Sequence, residues 1–295
     1  MLLIRPTTIT PAMVTASNAG AADPNYNPAT SYTLGQRVYL PSNGYTYECV
    51  QAPALDKNPA TSPLFWVRAE PSNRWAMWDA EISTATVVSG GISATLSVSG
   101  RFNAVSLHGL VGDSVTITQK DSAGTVLRIE TRALKSNPGG WYAYYYEPRT
   151  QVREAVFTGL VPSVGSSVTV EVSGTQATCA AVVVGTSMDI GDAQYGFTTT
   201  IVDYSRKDTS AAGVQTLVKG RYSKRMSGTL IQSRGQYNVI SEVLESVRAT
   251  PCVWVGVPTS GDYEPMNILG FYRDFAIEVS YPNHHICSLE IEGLT

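Results

Sequence analysis

The stretch Ile92-Ser93-Ala94-Thr95-Leu96-Ser97-Val98 alternates apolar and hydroxylated residues without a break. In an extended chain successive side chains point to opposite sides, so Ile92, Ala94, Leu96 and Val98 share one face. The pattern specifies a strand with one dry face. The same alternation returns at Val115 and Ile117, and again at Val168, Val170 and Val172. Asp121-Ser122-Ala123-Gly124 suits a hairpin connection between Val115–Lys120 and Thr125–Thr131, because its glycine tolerates the left-handed backbone that tight turns need. Short alternating runs separated by Gly-rich turns predict a β-sandwich over residues 72–186.

Downstream, residues 187–295 keep strand character at Cys252–Val257, Ile268–Tyr281 and Ile286–Glu292, where Cys287, Leu289 and Ile291 alternate with Ser288, Glu290 and Glu292. One helix interrupts them. Ser233 and Gln236 have capping-box spacing, and Tyr237, Ile240, Leu244 and Val247 then recur at helical intervals up to Ala249. Thr250-Pro251 ends the run. The expectation is an antiparallel β domain with the helix 236–249 packed on one face.

Upstream, residues 23–71 are rich in Tyr, Pro, Asn and Gly, and turn signals at Ser42-Asn43-Gly44 separate Gln36–Leu40 from Tyr45–Val50. That predicts a small module built on a β-hairpin. Residues 1–22 offer little apolar surface after the first few positions and read as an extended arm or linker, with an early charge and proline (Arg5-Pro6) that leave no room for a signal-peptide apolar core. The chain is thus expected to be mainly β.

The 295 residues are 43% hydrophobic and only 15% charged, with a net charge of −3, so no basic footprint for nucleic acid is expected. No stretch is apolar for long enough to suggest a membrane span. Cys49, Cys179, Cys252 and Cys287 lie far apart, form no CxxC pair, and read as reduced, buried thiols. Neither GxSxG, HExxH, a Walker loop nor GxGxxG occurs, so no enzyme, cofactor or metal site is expected. His284 and His285 would point to opposite faces of a strand, and Asp189, Asp192, Asp203 and Asp208 lack calcium-loop spacing. The run Trp141-Tyr142-Ala143-Tyr144-Tyr145-Tyr146 reads as a strand with aromatics on both sides, suited to core plus subunit interface or, alternatively, to sugar stacking.

Two resemblances add to this. Tyr26-Asn27-Pro28 through Tyr32-Thr33-Leu34-Gly35-Gln36-Arg37-Val38, with Gly44, Tyr47-Glu48-Cys49 and Phe65-Trp66, resembles the small carbohydrate-binding modules of chitinases (families 5 and 12). The resemblance implies a compact β-fold in which Tyr26, Tyr32, Tyr47 and Trp66 either stack on a glycan or form the core; the adjacent tryptophans that grip chitin are replaced here by Val50-Gln51-Ala52. The segments Trp75-Ala76-Met77-Trp78-Asp79, Arg248-Ala249-Thr250-Pro251-Cys252-Val253-Trp254, Gly270-Phe271-Tyr272-Arg273-Asp274-Phe275 and Leu289-Glu290-Ile291-Glu292-Gly293-Leu294 look like parts of tail proteins of long-tailed phages. That likeness implies a tail-tube-like C-terminal domain in a distal-tail or baseplate protein without chemistry. The protein would form a ring with copies of itself, a hexamer being one option, and would contact tube, hub and fibre proteins. It would be assembled in the host cytoplasm and carried in the virion. The competing expectation is a carbohydrate-binding protein that recognises a host surface glycan.

Overall fold

The computed structural model describes residues 1–135, 140–148, 150–209, 213–257, 265–278, 281 and 283–294; the side chains of residues 143, 144 and 234 lie outside that description. In chain order the elements begin with β1 (Leu2–Pro6), β2 (Val14–Ser17), β3 (Arg37–Leu40), β4 (Tyr45–Cys49), β5 (Trp66–Pro71), β6 (Thr86–Ser89) and β7 (Ile92–Ser97). Next come β8 (Ala104–His108), β9 (Ser114–Lys120), β10 (Val126–Ala133), α1 (Trp141–Tyr146), β11 (Glu154–Thr158), β12 (Ser167–Ser173), β13 (Gln176–Cys179) and β14 (Ala181–Asp189). The chain ends with β15 (Asp192–Ala193), β16 (Thr198–Asp203), β17 (Arg206–Thr209), β18 (Gln215–Val218), β19 (Tyr222–Ser233), α2 (Tyr237–Ser246), β20 (Cys252–Val255), β21 (Asn267–Glu278) and β22 (His284–Gly293). The fold is mainly β, as the alternation predicts.

Two compact units divide the chain: residues 7–183 form one, and residues 1–6 with 184–295 form the other. In the first, the order β10-β9-β12-β7-β2 makes a five-stranded antiparallel sheet. Val170 lies opposite both Ala94 and Ile117, so the dry faces read from the sequence meet across the strands. Ile92, Ala94, Leu96, Val115, Ile117, Val168, Val170 and Val172 are all buried. β8 pairs with β11 and is buried at every residue, which marks a strand covered on both faces; Phe102, just before β8, and Phe157, on β11, are fully buried too. This is a sandwich-like arrangement. The expected hairpin between β9 and β10 forms, with Gly124 at φ +86° and Asp121 Oδ1 accepting from the Ala123 and Thr125 amides.

Within the same unit, β3, β4 and β5 form a separate three-stranded sheet with its own core of Tyr32, Val38, Leu40, Tyr47, Cys49, Ala54 and Trp66. Gly44 turns the β3–β4 hairpin at φ +82°, and a Cβ there would stand 2.4 Å from the Trp75 ring. The glycine therefore serves both the turn and the packing of Trp75.

The second unit pairs its strands antiparallel in the order β14-β1-β20-β21-β22-β19-β15, and β16 also pairs with β19. Residues 1–22 are therefore not an arm. Leu2–Pro6 lies between β14 and β20, with Leu3 and Ile4 fully buried, and Val14–Ser17 adds an edge strand to the other unit's five-stranded sheet. The four apolar residues at the start supply the burial that overrides the polar stretch behind them.

Helix α2 covers one face of this sheet through Ile240, Leu244 and the following Val247, packed with Leu3, Met226, Leu230, Trp254, Leu289 and Ile291. A ten-residue helix is marginal alone, and three buried aliphatic side chains at about 2 kcal/mol each hold it in place. Tyr272 donates to the Leu244 carbonyl at 3.0 Å, and Trp254 Nε1 to that of Gly270 at 3.1 Å. The expected capping box does not form: a 3-10 turn, Arg234–Gln236, precedes the helix, and Ser233 makes no side-chain cap bond. The helix stops at Ser246 rather than Ala249, which sits in the left-handed region at φ +55°, and Tyr237 stays partly exposed instead of joining the buried stripe.

Candidate interaction surfaces

The four aromatics singled out in the small module come together as a cluster. Tyr26 stacks on Tyr32 with ring centroids 5.8 Å apart, and Trp66 meets them edge-on at 6.1 and 5.2 Å. Tyr32, Tyr47 and Trp66 are buried and Tyr26 is half-buried against them. Their polar tips face inward too. Trp66 Nε1 donates to the Lys57 carbonyl at 2.8 Å, Tyr32 Oη accepts from the Asn27 amide at 2.8 Å, and Tyr47 Oη accepts from Asn43 Nδ2 at 2.6 Å. Burial pushes the Tyr26 phenol above its ordinary range. These rings make the module's core, and Tyr32, Tyr47 and Trp66 offer no free face on which a pyranose could stack.

The aromatic run forms a different surface. Trp141–Tyr146 is a short helix, α1, not a strand, inside the long connection from β10 to β11. Trp141 and Tyr145 are 74% and 73% exposed, and Tyr142 and Tyr146 are likewise exposed; the Tyr144 side chain lies outside the described residues. Tyr142 packs against Tyr146 at 5.0 Å, as residues four apart on a helix do, and Trp141 meets Tyr142 edge-on at 6.3 Å. The base of the connection is pinned: Leu134 is fully buried, Lys135 pairs with Asp113, and Gln151 Nε2 reaches the carbonyls of Gly112, Leu134 and Val152. A fixed base thus presents four largely exposed aromatic rings, the residue types enriched where proteins meet partners.

Sequence reading missed a third surface. β17 and β18 continue the β16–β19 hairpin outward, past the Tyr204 amide on the Arg221 carbonyl and the Gly220 amide on Ser205 Oγ, as a two-stranded ribbon in which every residue is exposed, Leu217 by 81%. Its signal was the composition of residues 203–225, six Lys or Arg against two Asp in a chain of negative net charge. Arg206 pairs with Asp208 at 3.4 Å, Lys219 has Asp203 as a nearby opposite charge, and Lys207 and Arg221 are exposed with no ionic partner among the described residues.

Reactive groups fall elsewhere. Ser106 Oγ lies 2.8 Å from His108 Nε2, and Glu154 stands opposite His108 across the β8–β11 pair, a grouping the sequence did not suggest. Ser106 is wholly buried, so no substrate reaches it, and the contact satisfies polar atoms inside a strand layer. All four cysteines are buried and free; burial pushes the Cys179 and Cys252 thiols up to about 12 and Cys287 to about 11. Asp79 is pushed up to about 6, chiefly by burial, although the Glu81 amide and the Thr84 hydroxyl donate to it. His285 is buried against Tyr237, and His284 stacks on Tyr281, the opposite orientations expected of strand neighbours. Among the described residues no three His, Cys, Asp or Glu side chains converge as metal ligands, and no helix is long and apolar enough to cross a membrane. An open polar cleft of about 690 Å³ includes Asn18, Asp23, Tyr39 and Arg74 in its wall, but Asn18 and Arg74 already bond to backbone groups.

No protein-family model matches the chain, and no curated protein is significantly similar to it in sequence.

Proposed function

We propose that this protein is a structural subunit of a bacteriophage tail tip or baseplate, without catalytic activity, that assembles with copies of itself and with neighbouring tail proteins into a symmetric ring in the virion. The observation that carries the reading is the β17–β18 ribbon. A two-stranded ribbon that runs out beyond the β16–β19 pair with both faces in water gains little from its own packing, and a subunit whose neighbours cover it has no such difficulty. The exposed aromatics of α1 support a second contact surface, and the tail-protein resemblance of residues 72–295 supplies the setting. Purified full-length protein should sediment as a closed oligomer at micromolar concentration and show rings in negative stain. A monomer under those conditions would remove the proposal.

The second reading, recognition of a host surface glycan, rests on the same exposed Trp141, Tyr142, Tyr145 and Tyr146, since such rings can stack on sugars. A glycan array probed with the full chain and with Trp141→Ala decides it: glycan binding lost in the variant supports recognition through α1.

A further inference from the structure

The ribbon carries more than exposure. Lys207 lies directly opposite Leu217 in the β17–β18 register, so one face presents a cation beside an apolar side chain, with Lys219 and Arg221 following on the same strand's exit. Residues 203–225 therefore hold a net charge of +4, while the chain as a whole is at −3. The rest of the chain is correspondingly acidic. Residues 226–295 contain eight Asp or Glu against three Arg, and Glu290 and Glu292 already pair with Arg225 and Arg273.

The unpaired part of that acidity includes the outer side of α2. Glu242 and Glu245 are exposed, with no basic partner among the described residues, and Val239, three residues before Glu242, is exposed at 53%. The helix buries Ile240 and Leu244 beneath it, so its outward side carries an aliphatic group next to carboxylates. Ribbon and helix match in kind: leucine and lysines on one, valine and glutamates on the other.

We propose that the β17–β18 ribbon of one copy docks on the outer face of α2 in the next copy, with Leu217 against Val239 and Lys207 and Lys219 against Glu242 and Glu245. This rests on the self-assembly reading and names the surfaces it uses. The contact joins two different patches, so it is head-to-tail, the kind of contact that closes into a ring.

The test compares full-length wild type with Lys207→Glu/Lys219→Glu, with Glu242→Lys/Glu245→Lys, and with the protein carrying all four changes, by sedimentation velocity at about 0.05 M and 0.5 M salt. Assembly should weaken by about tenfold or more in either charge-reversed protein and in high salt for wild type, and should recover in the four-fold variant. All the changed side chains are exposed, and far-ultraviolet circular dichroism checks each fold; Lys207→Gln/Lys219→Gln serves where a reversal perturbs it. A wild-type oligomer indifferent to both pairs of changes overturns this inference and leaves the structural reading standing, whereas a monomeric wild type removes both. If the ribbon variant loses low-salt retention on heparin or an oligonucleotide while assembling normally, the ribbon is a polyanion site and the inference fails.

Discussion

Replacing Trp66 by alanine asks whether the aromatic cluster of residues 23–71 is a core or a platform. The side chain is 2% exposed, touches Tyr26 and Tyr32, and donates to the Lys57 carbonyl, so its removal leaves a cavity and an orphaned acceptor. Truncating a buried tryptophan costs about 3–5 kcal/mol, and the lost hydrogen bond adds about 1 kcal/mol. A core of seven residues in fewer than fifty supplies about as much in total. The module should therefore open in the variant while the rest stays folded. Hydrogen exchange read by mass spectrometry on the full chain should show β3 and β4 unprotected and β7, β9 and β12 unchanged. Protection retained throughout the module, or loss spread evenly over β7, β9 and β12, would refute the claim of a separate core centred on Trp66.

Three further outcomes follow from the packing and the charges. Gly270→Ala would place a Cβ 2.1 Å from the Glu292 carbonyl oxygen and should lower the melting temperature sharply or prevent soluble expression, whereas Gly100→Ala, with open space around it, should melt like wild type. Asp79 has a folded pKa of about 6 against an ordinary 3.8, so the folded protein holds a proton that the unfolded chain gives up between about pH 4 and pH 6. Its stabilising contribution is complete below that window and disappears as pH rises through it; scanning calorimetry should show this decline in wild type and its loss in Asp79→Asn. The raised pKa values of Cys179, Cys252 and Cys287 and the burial of all four thiols predict negligible reaction with an aromatic disulfide at pH 8 until denaturant is added, when all four should titrate.

Alternation made the strands legible wherever one face is dry and the other wet, as in β7, β9, β12 and β22, because the period of two is a local property of the chain. Hairpin turns were legible for the same reason. What escaped depends on distant partners. Nothing within Leu2–Pro6 says that it will lie between Gly185–Asp189 and Val253–Val255. The tyrosine-rich run was misread because aromatic side chains favour strands in general, while among the described residues this segment pairs with no strand and closes a helical turn instead. The candidate binding residues of the small module could be named from the sequence, but whether a Tyr or Trp ring faces in or out has no signature in spacing. The ribbon left a charge signature without any hint of its shape.

The place of β1 has a consequence for how the chain is made. Residues 1–6 are synthesised well before their hydrogen-bonding partners, Gly185–Asp189 and Val253–Val255, which emerge only after the whole of residues 7–183 has been made. During that interval Leu3 and Ile4, both fully buried at the end, have nowhere native to go, while residues 7–183 can collapse on their own. The sheet thus pairs a strand made early with strands made late. Closing it needs contacts of long sequence separation, which form slowly and leave an interval in which a chaperone can act.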